Sequence, residues 1–154
     1  MDPACKLRLR NVSKMFRTAS GGTVQALTPI NLDIPAHRFV SIVGPSGCGK
    51  STLFNIISGL TEPGTGEILV DGKTVNGASG IVGYMLQKDL LLPWRTILDN
   101  VILGMEIRGT PKREAKAKAL PLLRKYGLGG FEHSYPSQIS GGMRQRAALL
   151  RTIL

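Results

Sequence analysis

"GPSGCGKST" occupies positions 44–52, and its spacing decides how the rest of the chain is read. It fits the pattern G-x-x-x-x-G-K-[ST] through Gly44, Gly49, Lys50 and Ser51. Gly44, Gly47 and Gly49 free the backbone to curl until successive N–H groups point inward and form a nest for an anion. A helix opening near Lys50 would add its positive end at the same spot. The pattern therefore predicts a nucleoside triphosphate cradled by Gly44, Pro45, Ser46, Gly47, Cys48, Gly49, Lys50, Ser51 and Thr52. Lys50 would reach the β- and γ-phosphates, and the Ser51 hydroxyl would ligate Mg²⁺. By composition alone the four fixed positions match about once in a hundred chains of this size. The flanks sharpen the reading. "RFVSIVG" (38–44) is short, β-branched and apolar on both faces, as a strand covered from both sides would be. "KSTLFNIISGL" (50–60) sets Leu53, Ile56, Ile57 and Leu60 at helical spacing.

Upstream of this loop, "CKLRLRNV" (5–12) and "VQALTPINLDI" (24–34) alternate apolar and polar residues on either side of "ASGGT" (19–23). That is the period of half-buried strands in an antiparallel pair. Downstream, "EILVDGKTV" (67–75) reads as a hairpin turning at Asp71-Gly72, and "IVGYMLQ" (81–87) as a second buried strand. From Thr96 the pattern is helical, with Thr96 and Asp99 spaced as a capping box. Thr110-Pro111 would open a basic helix and Gly127-Leu128 would close it. Pro121 inside that helix forfeits a hydrogen bond, which costs about 3 kcal/mol, and predicts a kink or an early break.

The 154 residues give room for one domain with a real core, and 42% hydrophobic with 19% charged content fits a globular chain. No apolar run approaches the roughly 18 to 20 residues that span a bilayer. "MDPACKLRLR" lacks the apolar block of a signal peptide, so a cytosolic chain is expected. Cys5 and Cys48 give neither a disulfide framework nor metal-ligand spacing. The net charge of +10 would suit nucleic acid or an anionic membrane. Seven of the basic residues fall within 108–125, interleaved with Ala and Leu, which also describes a solvated helix face. Aromatic residues make up only 5% of the chain, so platforms for stacking bases are poorly supplied.

The end of the chain narrows the field. In "QISGGMRQRAALLRTIL" (138–154), Ser140 is a good helix cap, and Gly141 and Gly142 expose N–H groups at the positive end of a helix. Met143, Ala147, Leu150 and Leu154 share one face of it. This stretch, with "YPSQ" before it, resembles the signature sequence of ABC-type ATPases, usually Leu-Ser-Gly-Gly-Gln, with Ile139 for Leu and Met143 for Gln. "KDLLLPWRTILDNV" (88–101) and "YPSQISGGMRQR" (135–146) further resemble the importers of nitrate, sulfonate, taurine and related small ions.

The resemblance covers essentially the whole chain and implies an α/β P-loop NTPase core with an N-terminal antiparallel β subdomain and an α-helical insert. Its parts would be about 1–95 for the β subdomain and P-loop core, about 96–139 for the insert, and 140–154 for the signature helix. It implies ATP and Mg²⁺ as cofactors and a catalytic role for Lys50 and Gln87. Gln87 would ligate Mg²⁺ and sense the transporter, although a Gln after a strand is more often a plain polar loop residue. Phe16, placed in a loop after the first strand, would stack on adenine, with a core phenylalanine as the alternative. Ser140, Gly141 and Gly142 would contact the γ-phosphate held by a second copy in a head-to-tail dimer. A transmembrane permease would dock near Gln87 to Trp94, unless Trp94 is a buried anchor. A periplasmic or extracellular solute-binding protein would act indirectly, and the chain would sit peripherally on the cytoplasmic face of the membrane.

What such a family carries after the signature, an apolar strand ending in Asp-Glu and a later switch histidine, does not occur in the sequence. His37 and His133 precede the signature, as does every carboxylate. The general base is thus absent from these residues, and the sequence reads as an N-terminal fragment that binds nucleotide and turns it over little. Two other readings stay open: a non-hydrolysing nucleotide-binding remnant, and a soluble ABC ATPase acting on nucleic acid. The lack of long insertions or tandem cassettes argues against nucleic acid as a partner.

Overall fold

Two 13-residue strands, β1 (Cys5–Arg17) and β2 (Thr23–Pro35), form the antiparallel pair that the alternation predicts. The computed structural model describes residues 5–75, 77 and 80–154. Alternation along β1 does not run unbroken. Leu9 and Val12 are both fully buried although three positions apart. A register shift between them, with Asn11 at φ 51°, inserts the extra residue that returns Val12 to the core face. The Asn11 N–H, left out of the ladder, donates to Asn31 Oδ1 at 2.9 Å.

β3 (Thr65–Val70) pairs with the other edge of β1, and β4 (Lys73–Thr74) closes a four-stranded sheet of order β2-β1-β3-β4. The turn between β3 and β4 is at Asp71 (φ 50°) and Gly72 (φ 74°), the paired left-handed residues that a tight hairpin requires. Helix α1 (Lys50–Ile57) buries Leu53, Ile56 and Ile57 in a cluster with Leu9, Val12, Leu27 and Ile68 from the sheet. Each of these large side chains contributes about 1.5–3 kcal/mol by leaving water.

Two expected strands do not form. Residues 38–44 and 81–87 carry no strand pairing. Phe39 (95% exposed) and Val43 (89%) face solvent instead of a covering layer. A central parallel strand exists only when neighbours pair its backbone, and no described residue lies in register beside either segment.

Among the described residues the rest is helical. α2 (Ile97–Val101) and α3 (Leu103–Ile107) meet at Ile102, followed by α4 (Lys112–Lys125), a 3₁₀ turn at Pro136–Gln138 and α5 (Gly141–Ile153). Thr96 caps α2 as its spacing predicts, its hydroxyl accepting from the Asp99 N–H at 3.2 Å. The N–H groups of Ile97 and Leu98 donate to the carbonyls of Ser134 and Glu132.

α4 buries Ala115, Ala119 and Leu123 in one stripe and runs unbroken through Pro121, which is exposed. The expected early break therefore does not occur. Its cap lies one residue later than expected, at Pro111, with no side-chain bond. The C-terminus follows the expectation: Leu128 N–H returns to Leu123 O and Gly127 N–H to Arg124 O, the paired closure of a helix end. These helices share a core of Leu91, Ile97, Val101, Ile102, Leu123, Leu128, Ala147 and Leu150 among others. The chain thus divides into two units, Met1–Val82 and Gly83–Leu154, each with its own apolar centre.

Candidate functional site

In the first unit the loop 44–49 leads directly into α1. Gly47 (φ 80°) and Gly49 (φ 94°) hold left-handed conformations, and Gly49 is the N-cap of the helix. A Cβ at Gly49 would overlap the Ala26 carbonyl oxygen and lie 2.7 Å from Leu27 Cδ2, so only glycine fits against β2. A Cβ at Gly44 would come within 2.7 Å of Cys48 Sγ. The helix start has no side-chain cap and no acidic residue in its first turn. Its leading N–H groups therefore remain available to an anion.

Lys50 folds back over this loop. Its ammonium donates to Gly44 O at 2.7 Å and Pro45 O at 2.6 Å, with Cys48 Sγ at 3.4 Å. Backbone carbonyls thus receive the charge that the sequence assigned to phosphates. Pro45, Ser46 and Ser51 are exposed, and Thr52 is half-buried. Phe16 lies inside β1 opposite Val24, not in a loop, because the strand runs on to Arg17. Phe16 is 43% exposed, which removes the core alternative, and Lys14 Nζ sits 5.4 Å from the ring centre.

In the second unit Ser140 caps α5, its hydroxyl accepting from the Met143 N–H at 3.3 Å. Gly141 and Gly142 are exposed, and nothing lies within 4 Å of a Cβ placed on Gly142, so a ligand can reach the backbone there. Gln87 is exposed, and its carbonyl accepts from Gln145 Nε2 at 3.1 Å. Trp94 is 72% exposed and is no buried anchor. The turn beneath it is fixed by Asn100, which is fully buried. Asn100 Oδ1 accepts from the Leu92 N–H at 2.7 Å, and Nδ2 donates to the carbonyls of Leu92, Arg95 and Thr96. A buried amide satisfied on both sides locks the backbone around it.

Asn100, Asp89, Arg144, Gln145 and Arg151 escaped sequence reasoning. The available signal was that two of the three arginines of α5, Arg144 and Arg151, fall seven residues apart and so on one face of the helix. Arg151 is pulled below the usual arginine range by burial, an effect that Asp89 opposes.

Residues 27–154 match the family described as ABC transporter. The chain belongs to that family. It is 46% identical over 96% of its length to an uncharacterized ABC transporter ATP-binding protein of Methanocaldococcus jannaschii, covering 55% of that protein. It is 44% identical, again over 96%, to the taurine import ATP-binding protein of Rhizobium johnstonii, of which it covers 55%. A dimeric ATP-binding cassette solved in a post-hydrolysis state with ADP and Pi superposes with a TM-score of 0.84 at 34% identity, over 96% of this chain and 68% of that one. The fold is that of an ABC ATPase cassette, and the chain spans about half the length of the curated relatives it matches. No helix among the described residues is long and apolar enough to cross a membrane.

Proposed function

We propose that this chain supplies the ATP-gripping part of an importer ATPase whose cargo is a small sulfonate of the taurine type. The support for the cargo is the relative named for taurine import. The observation that carries the nucleotide reading is the loop 44–52. Its left-handed glycines precede an uncapped helix start, and the Lys50 ammonium is held by two carbonyls that phosphate oxygens would replace.

In this reading Gly44 to Thr52 hold the phosphates, and Phe16 offers an exposed ring to adenine. Among the described residues no three His, Cys, Asp or Glu side chains cluster to hold a metal. The Ser51 hydroxyl, with the nucleotide's own phosphates, would serve Mg²⁺, a cation that keeps few protein ligands. Bound Mg²⁺ would neutralise charge on the phosphates. Ser140, Gly141 and Gly142 offer their N–H groups to nucleotide on a second copy. Leu90 and Trp94, 51% and 72% exposed, present the apolar surface on which a membrane permease docks at the cytoplasmic face. A solute-binding protein would act through that permease.

Calorimetry with Mg-ATP tests the reading. Loss of a charge-assisted contact of about 1.5–3 kcal/mol predicts that Lys50→Ala binds more than about tenfold more weakly. Equal heats for the two proteins, or none for the parent, would overturn it.

A further inference from the structure

The segment 87–90 has no helix or strand of its own, yet its backbone is not left to solvent. Its carbonyls are met by side chains of α5. Gln145 donates to Gln87 O at 3.1 Å, and Arg151 donates to Asp89 O at 2.6 Å and to Leu90 O at 2.7 Å. Arg144 bridges two places at once: its Nε donates to Asp89 Oδ2 at 3.0 Å and its Nη1 to Ile139 O at 3.0 Å, immediately before Ser140. The other oxygen of Asp89 accepts from the Leu91 N–H at 3.2 Å, and Leu91 is buried in the helical core. Leu90 has φ 46°, a left-handed conformation that a non-glycine residue keeps only where its surroundings impose it.

We propose that Arg144, Gln145 and Arg151 are positioning residues that bracket the backbone of Gln87–Leu90 to the signature helix, so that a displacement of this segment carries Ser140–Gly142 with it. The reason is chemical. Arginine forks hold two acceptors in fixed relative geometry, which a single flexible contact does not. With three carbonyls and one carboxylate held by one helix face, the segment cannot shift by an ångström without breaking charge-assisted bonds or moving α5. A load on the exposed Trp94 side would therefore be felt at the signature end without passing through the nucleotide. This inference rests on the proposed function for its use, but the bracket itself is readable without nucleotide.

Hydrogen exchange on the complete chain, free of nucleotide, is the test. Arg144→Ala and Asp89→Ala should each accelerate exchange about tenfold in residues 86–92 and 139–142. The interior of α5, residues 147–153, should keep its protection, and the effects of the two substitutions should combine less than additively, because both remove the Arg144–Asp89 contact. Unchanged exchange in 86–92, equal loosening of the α5 interior, or additive effects would each overturn the bracket. A second readout separates positioning from bulk stability. Arg144→Ala should keep the parent's Mg-ATP affinity while its Mg-ATP-dependent self-association falls about tenfold; equal loss of both would refute positioning. Absence of self-association in the parent would sink the dimer reading, leaving the bracket to the exchange result.

Discussion

At Gly49 three demands meet in one residue: a φ of 94°, the N-cap of α1, and a hydrogen atom facing the Ala26 carbonyl where a methyl would overlap it. An L side chain pays about 1–3 kcal/mol for that conformation alone. Relief can come only from moving loop 44–49 off β2, which uncurls the anion nest. Gly49→Ala is therefore expected to lower unfolding stability by about 1–3 kcal/mol and to weaken Mg-ATP binding by at least about tenfold. Urea unfolding followed by circular dichroism and a calorimetric titration would check the two parts. An alanine protein with parental stability and affinity would mean that the loop curls by some other route. The pattern G-x-x-x-x-G-K-[ST] made this position readable, because its chemistry is local. Lys50 was less readable: sequence gives its reach but not the Gly44 and Pro45 carbonyls that take its charge.

Elements whose cause is local were legible for the same reason. β1, β2, the Asp71-Gly72 turn and the caps at Thr96 and Ser140 each follow from a few neighbouring residues. The segments 38–44 and 81–87 were not, since a strand is a property of a pair and their apolar composition says nothing about who pairs with them. The bracket on 87–90 was equally invisible, because its partners lie 55 to 62 residues apart in the chain.

The contact between α2 and α4 offers a test at this scale. Burial tends to raise the pKa of Asp99, but the ion pairs with Lys112 and Lys116 and the nearby Thr96 hydroxyl outweigh it and hold it below the usual carboxylate range. The ammonium groups lie 3.2 and 3.7 Å from Asp99 Oδ1. A carboxylate whose folded pKa is depressed adds stability above its unfolded pKa and loses it as the pH falls through the folded value. Asp99→Asn should therefore be less stable than the parent near pH 7, with the gap closing below about pH 4. Thermal unfolding across that range measures it, and a gap that stayed constant or widened in acid would contradict the pairing.

For the molecule as a whole, the decisive feature is that two separate apolar clusters serve two stretches of chain, Met1–Val82 and Gly83–Leu154. Every residue of the phosphate loop falls in the first stretch, while the one tryptophan, Trp94, falls in the second. A ligand that binds one unit's folded state raises that unit's stability by RT ln(1 + [L]/Kd), about 2.7 kcal/mol at a hundredfold excess over Kd. If the units unfold separately, dilute protein in excess Mg-ATP should show slowed hydrogen exchange in peptides from 5–75 and none of that slowing in 83–154. The urea midpoint read from Trp94 fluorescence should stay where it is without nucleotide, while the midpoint read from the sheet's circular dichroism moves upward. Lys50→Ala should abolish the movement of the sheet signal and leave the tryptophan signal untouched. Were both midpoints to rise together, the two cores would unfold as one cooperative body, and nucleotide gripped at residues 44–52 would stabilise the signature helix within the same chain.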